Sequence, residues 1–445
     1  MTCLLGNRRI MQIVRPGDSS YDEARSVWNG TVDKRPAVIA YCEDPGDVVA
    51  ALDLAATQGF LVSVRAGGHN AAGLSVAEGG LVIDVARMKR VDVDAERRTV
   101  RAGAGLTLGE FDTATQSAGL ATTMGVNSDT GIAGLTLGGG IGKLGRSFGL
   151  SCDNLIAAEI VTADGRLLRA SEDENADLLW GLRGGGGNFG IVTAFEYRVH
   201  PVGPMLWTGF AVYDYGSARE AMRFYAKFSR NAPDELALDA ALFAEPSGRR
   251  FFTVSACYNG PIDAGRRIAE PLRAYGEPVE ATFAPKSYLE IQSANDATFQ
   301  RGRRYYWKAH LMRELTHDAI DALLDCYAAC PSTDSFVSLQ HVGGAIARVP
   351  RSKTAYVNRD ALYDCFPISI WDDPRDDGAN IAWTRELWGR MKPHSSGGVY
   401  VNNLGDEGAD RVKAAYGENY PRLAALKSKY DPTNVFRLNQ NIPPA

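Results

Sequence analysis

Residues 125–149 read GVNSDTGIAGLTLGGGIGKLGRSFG, and nine of these 25 residues are glycine. Each glycine costs about 0.5–1 kcal/mol against alanine inside a regular element. Neither an ordinary helix nor an ordinary strand is therefore expected here. The stretch is no flexible linker either, because Ile132, Leu135, Leu137, Ile141 and Leu144 interleave with the glycines. It reads as backbone packed closely against something. A second cluster, GGGGNFG over 184–190, runs straight into the strand-like IVTAFEYRV. A third, RAGGHNAAG over 65–73, follows the alternating LVSVR. Glycine-rich loops after strands let backbone N–H groups approach phosphates, since no Cβ intervenes. Two clusters about 60 residues apart suit a large dinucleotide lying across both.

Outward from these loops the chain alternates short strands and helices. A strand is expected from Ala37 to Tyr41, then a helix with Val48, Val49, Leu52 and Ala55 on one face, opened by Asp44 or Asp47. Further strands are expected at Gly80 to Asp84, at VDVD and at TVRAGAG, then a helix around Thr107 to Ala118. Residues 155–170 form a hairpin turning at Asp164-Gly165, and Asp173 to Gly181 a short helix. After Pro201 and Pro204 glycines thin out. Charged helices (Ala218 to Ser229, Ala264 to Tyr275, His317 to Ala329) then alternate with the strands ALDAALFAE, RRFFTVSACY and SFVSLQHV. At Gly397 the earlier style returns, with a helix around Asp410 to Tyr430. This is an α+β organisation. Residues 1–202 are expected to form one domain (with a ragged 1–19), 203–395 a central domain of antiparallel sheet plus helices, and 396–445 a segment returning to the first domain.

Composition excludes several classes. Lys plus Arg number 48 against 53 Asp plus Glu, for a net charge of −5. A nucleic-acid binder would show a basic surplus. No apolar run reaches membrane-spanning length. The seven cysteines are odd in number and scattered, which suits reduced thiols in a cytoplasm. Cys326 and Cys330, four apart in an expected helix, are spaced to share a face but lack a second ligand pair, so no metal is expected. Arg8-Arg9 lacks the apolar stretch of a targeting signal, and Met11 is an alternative start. The P-loop, G-x-S-x-G and H-E-x-x-H signatures are absent. GAGLTLG over 103–109 has its third glycine one place late, against a nicotinamide site. His69 stands between Gly68 and Asn70. It reads either as a hydrogen-bonded loop histidine or as an imidazole that touches or attacks the cofactor.

Four segments together resemble a known family: VRAGGHNAAGLS (64–75), GIAGLTLGGGIGKLGRSFGLSCDNL (131–155), LLWGLRGGGGNFGIVTAFEYRVHPVG (178–203) and YDPTNVFRLNQNIPP (430–444). They look like the berberine-bridge-enzyme-like flavoproteins of the vanillyl-alcohol-oxidase superfamily, with its PCMH-type FAD-binding fold. The resemblance spans roughly 20–445. It implies an FAD domain in two non-contiguous pieces around a substrate domain. It implies that N–H groups of Ala66 to Asn70 hold the pyrophosphate, and that His69 carries the flavin through its 8α-methyl. Many members add a second, cysteinyl link. Here Asn127 replaces that cysteine in GVNSDTG, so a single link is expected, and Cys152 is a buried small side chain. Thr130 stands where the family gates oxygen, which favours an oxidase. By the same resemblance the cofactor contacts are Arg65, Ala66, Gly67, Gly68, His69 and Asn70; Gly125, Asn127, Asp129, Thr130, Gly131, Gly134, Gly139, Gly140 and Gly142; Gly190, Ile191 and Val192; and Asn439 and Gln440.

The catalytic candidates are Tyr400, Asn402, Gln340 and His341. GVYVN over 398–402 reads as a strand with Tyr400 and Asn402 on one face, and Tyr400 matches the family's active-site tyrosine. A phenol with pKa about 10 is a poor base unless a neighbouring cation or donor lowers it. In SLQHVGG, Gln340 and His341 point to opposite faces, and Val342 replaces a tyrosine found in some members. Gln340 suits substrate orientation; His341 is either catalytic or structural. Trp207, Phe252, Tyr305, Tyr306 and Trp307 are pocket aromatics or core. The expected activity is FAD-dependent oxidation of an alcohol or activated C–H of a small molecule, of natural-product or sugar type. Hydride would pass to flavin N5, and O2 would reoxidise the flavin to give hydrogen peroxide. A dehydrogenase using another acceptor, a flavin-holding protein without turnover and a non-covalent reductase using NADPH stay open. The expected partners are the substrate and O2, with no nucleic acid and no membrane; the oligomeric state is open.

Overall fold

The computed structural model describes residues 11–405 and 407–445. Cys3 and Arg8-Arg9 lie outside the described residues. The N-terminal half builds two sheets. In the first, Val38–Tyr41, Leu81–Asp84 and Val62–Arg65 run parallel, with Gln12–Val14 antiparallel at the edge. Its crossover helix, Pro45–Gln58, starts because Asp44 accepts the Asp47 N–H at 3.0 Å, and it stops at Gly59 with φ of 68°. The second sheet is antiparallel, in the order Val91–Asp94, Thr99–Gly103, Ile191–Arg198, Leu155–Val161, Leu167–Ala170. After the strand Thr99–Gly103 the helix Leu108–Gln116 is opened by a Thr107–Glu110 capping box. One core joins these pieces to the far end of the chain: Leu81, Phe111, Ile160 and Phe195 pack with Val399, Tyr416, Leu423 and Ile442.

The central segment forms an antiparallel eight-stranded sheet. Its order is Glu280–Ser287, Met205–Asp214, Arg250–Tyr258, Leu236–Ala244, Phe336–His341, Tyr363–Trp371, Arg304–Trp307, with His310–Met312 beside Tyr363–Trp371. Alternation divides its two faces. Leu236, Leu238, Val337, Leu339, Tyr363 and Cys365 pack under the helices Ala218–Arg230, Ile262–Ala274, His317–Tyr327 and Asp377–Met391. Gln340, Phe366 and Ile368 face the other way. Arg146, buried, ties the two sheet systems by donating to the carbonyls of Leu236, Val342 and Ala232. No helix among the described residues is long and apolar enough to cross a membrane.

Three expectations need correction. The glycine-rich stretch does contain helix, at Ile132–Gly138 and Gly145–Phe148. Tertiary packing there outweighs glycine's poor propensity. The helix expected at 410–430 is two, Ala409–Tyr416 and Tyr420–Tyr430. Gly417, at φ of 47°, and Pro421 in the first turn of the second helix separate them. Residues 398–402 are not a strand: Val401–Asn403 is a single 3₁₀ turn.

Candidate active site

A long cavity runs between the two sheet systems. Its first wall is made by Ala66, Gly67, Gly68, His69 and Asn70, by Gly125, Asn127, Thr130, Gly131 and Gly134, and by Gly190, Ile191, Val192, Asn439 and Gln440. Its second wall is made by Trp307, Gln340, Phe366, Ile368, Tyr400, Asn402 and Asn403. Gly134 and Gly187 come from different clusters and both line it. A Cβ built on either meets no protein atom within 4 Å, so each glycine leaves cavity space that any other residue would take. Asn127 Oδ1, Asn439 Oδ1 and His69 Nε2 are buried at this wall without a hydrogen-bond partner. Bare backbone on two loops and unsatisfied polar atoms beside them fit an elongated dinucleotide such as FAD.

His69 is fixed from three sides. Its ring stacks on Trp28, centroids 5.0 Å apart at 23°, and Trp28 in turn stacks on Tyr305 at 3.8 Å and 19°. Nδ1 lies 3.4 Å from Thr130 Oγ1. Nε2 lies 3.0 Å from Asp129 Oδ1, but neither atom makes a directed hydrogen bond. Asp129 itself is not part of the cavity wall. Gly67 and Gly131 are glycine for a local reason: a Cβ on Gly131 would sit 2.6 Å from the Gly67 nitrogen. The two loops touch backbone to backbone and present His69 between them. Arg65 does not reach the cavity. It lines a separate groove, where Nε donates to Asp84 Oδ2 at 2.6 Å.

Tyr400 is buried at the opposite wall. Its hydroxyl oxygen accepts the Gly140 N–H at 2.9 Å and an Asn402 Nδ2–H at 2.7 Å. The Gly140 N–H points there because Gly139 (φ of 135°) and Gly140 (φ of 89°) bend the chain after the helix Ile132–Gly138, while the Asn402 amide comes from the turn Val401–Asn403. Gly139 and Gly140 therefore serve the phenol rather than line the cavity, and Gly142 is packed under the Met124 carbonyl. Among the described residues no cation lowers the phenol. Burial pushes it up, opposed by the N–H groups of Gly140, Asn402 and Ile141. His341 is not at the cavity. It lies on the helix-covered face, where Nε2 accepts from Arg146 Nη1 at 3.1 Å. Burial, then the Arg146 charge, hold its imidazole well below the ordinary value. Of the aromatics, Trp307 lines the cavity, Tyr305 backs Trp28, and Trp207 and Phe252 belong to the helix-side core. Tyr306 lies under the Arg385 guanidinium instead.

Sequence reasoning missed Trp28, Asn403 and Asp364. Trp28 is isolated in sequence and meets its partners only through the fold. Asp364 did leave a trace, since Asp364, Phe366 and Ile368 alternate onto one face of a strand. Its carboxyl is fully buried, and Oδ2 accepts from Asn403 Nδ2 at 2.7 Å.

Comparison with known proteins agrees with this geometry. A model described as an FAD binding domain matches residues 36–171, and one described as berberine and berberine like matches 399–443. An FAD-linked oxidoreductase of Dictyostelium discoideum is 32% identical over 437 residues, spanning 97% of this chain and 94% of that protein. (R)-6-Hydroxynicotine oxidase of Paenarthrobacter nicotinovorans is 31% identical over 450 residues, spanning 97% and 96%. The crystal structure of 6-hydroxy-D-nicotine oxidase from Arthrobacter nicotinovorans matches with a TM-score of 0.92 at 27% identity, covering 100% of both chains. Physcomitrella patens BBE-like 1 matches with a TM-score of 0.89 at 25% identity, covering 97% of each. This chain is an enzyme of the berberine-bridge-enzyme-like family of FAD-linked oxidoreductases.

Proposed function

We propose that the chain is an oxidase that holds FAD along the cavity, tethered once through His69, and oxidises an alcohol or activated C–H of a small molecule. The observation that carries this reading is the Tyr400 hydroxyl, at the cavity wall with two N–H donors aimed at its oxygen. That is the arrangement that stabilises a developing phenolate. When bound, FAD takes two electrons from the substrate and passes them to O2, yielding hydrogen peroxide. Everything else falls to side chains and backbone of this chain. The loops at 66–70, 125–134 and 186–192 hold the cofactor. Tyr400, once ionised, takes the substrate's proton while Gly140 and Asn402 spread the charge. Gln340 orients the substrate, and Trp307, Phe366 and Ile368 keep water from it.

A single tether is favoured because, among the described residues, no cysteine lines the cavity. Asn127 stands at the wall in its place. The two-piece cofactor domain, 1–202 with 396–445, and the substrate domain, 203–395, belong to the same reading. The aromatic and aliphatic wall suits a small ring-bearing substrate. The name of (R)-6-hydroxynicotine oxidase makes 6-hydroxynicotine and small aromatic alcohols the first compounds to assay. The test is anaerobic reduction of the flavin by an active compound in wild type and Tyr400→Phe, followed by admission of air. The variant should keep its flavin and lose at least about 100-fold in reduction rate. Wild type should form peroxide. An unchanged rate in the variant refutes the role of Tyr400, and absence of peroxide refutes the oxidase.

A further inference from the structure

Behind the substrate wall lies an acid that the mechanism above does not use. Asp364 is the second residue of the strand Tyr363–Trp371 and faces the same way as Phe366 and Ile368. In the neighbouring strand it stands opposite Gln340, itself a wall residue, and on its other side opposite Leu311. Its carboxyl is enclosed. Oδ2 accepts the Asn403 Nδ2–H at 2.7 Å, while Oδ1 has no hydrogen-bond partner. No ion pair to it occurs among the described residues. Burial pushes the acid up to about 7, opposed by the Asn403 bond. Tyr356 and Cys365 feel its charge, and burial raises both so that they stay neutral in that range. Gln340, Leu311 and Asn403 carry no charge at all.

The chemistry of the pair is asymmetric. An ionised carboxylate only accepts hydrogen bonds. It therefore draws Nδ2 of Asn403 towards itself and leaves Oδ1 for the cavity that Asn403 lines. A protonated carboxyl also donates, so it pairs as well with Oδ1 and frees Nδ2 for the cavity. We propose that Asp364 is a positioning residue whose charge state sets which end of the Asn403 amide meets the substrate. The ionised form makes the site read a hydrogen-bond donor on its ligand; the protonated form gives up that preference. This rests on reading the cavity as the flavin and substrate site.

Phenol and anisole test it, because they share a ring and differ by one donor, and phenol stays neutral well above pH 8. Each is titrated into FAD-loaded protein at about pH 5.5 and about pH 8.5, with binding followed by the change in the flavin spectrum. Phenol should be favoured about fivefold to tenfold at the higher pH, the worth of one hydrogen bond, and the ratio should fall towards one at the lower. In Asp364→Asn the ratio should no longer change with pH. In Asn403→Ala, which carries the same test if the first variant does not fold, the preference should vanish at both pH values. A ratio constant with pH in the yellow wild-type protein overturns the proposal alone. So does a pH dependence that survives in either variant. A protein that binds no flavin overturns the underlying reading together with it.

Discussion

Replacing Gly138 by alanine separates the site from the fold. Gly138 ends the helix Ile132–Gly138 beside the side chain of Asn402. A Cβ there would lie 2.5 Å from Asn402 Cγ and 2.7 Å from Nδ2, well inside contact. Asn402 must move, and it then gives up its bonds to the Leu135 carbonyl (3.0 Å) and the Tyr400 hydroxyl (2.7 Å). Two hydrogen bonds are worth about 2 kcal/mol together. Alanine returns up to about 1 kcal/mol through its helix propensity, so the net loss of stability is about 1 kcal/mol. The catalytic loss should be larger, because Tyr400 loses the Asn402 donor. Removing one donor to a developing oxyanion costs about 100-fold or more. Thermal melting and stopped-flow reduction of the flavin measure the two quantities on one sample. Asn402→Ala should lose the same rate, and the double variant should be no slower than either single one. Full reduction rate in Gly138→Ala would refute the claim that Asn402 supports the Tyr400 oxygen.

Other outcomes follow from buried charges. Asp112 is fully buried, with Oδ2 bonded to Gln292 and Oδ1 unpartnered, and burial pushes its acid up to about 7. The folded state thus holds the proton more tightly than the unfolded chain does. Its contribution is favourable at low pH and is lost as pH rises from about 4 through about 7, by at most about 4 kcal/mol. Asp112→Asn should raise the melting temperature at about pH 8 and not at about pH 4; equal shifts would contradict this. Lys427 and Asp431 form a pair with no exposure, 2.6 Å apart, and Lys427 also donates to the carbonyls of Asn188 and Phe436. Lys427→Met should cost about 3–5 kcal/mol in urea melts and loosen the C-terminal segment from the glycine loop. Because burial raises the Tyr400 phenol above its usual range, flavin reduction should keep accelerating with pH through about 10. A plateau below about pH 9 would show a different base.

The parts of this molecule legible in its sequence are those whose cause is local. Asp44 before an apolar stripe, Asp164-Gly165 between two strands and the alternation of Gln340 and His341 all act over a few residues, and the structure follows them. Glycine clusters are less transparent, because a missing Cβ serves different ends. Gly134 and Gly187 leave open space in the cavity, Gly131 lets two backbones meet, and Gly142 merely clears the Met124 carbonyl. Sequence does not separate these cases. Tyr400 and Asn402 were legible as a pair but not as a turn, since the contacts that shape them come from Gly138 and Gly140, some 260 residues earlier. Trp28 and Asp364 were out of reach for the same reason. Trp28 Nε1 bonds to the Phe299 carbonyl, and Asp364 acquires its partner Asn403 only once the chain returns.

The central claim is that His69 holds the flavin covalently and alone. The measurement is the distribution of yellow colour after acid precipitation of the purified protein, with flavin-bearing peptides then located by mass. The expected result is a yellow pellet, flavin mass on the His69 peptide and none on the Asn127 peptide, and a colourless pellet for His69→Ala. Colour that moves entirely into the supernatant of the wild-type protein would contradict the claim and leave His69 as a residue of the pyrophosphate loop.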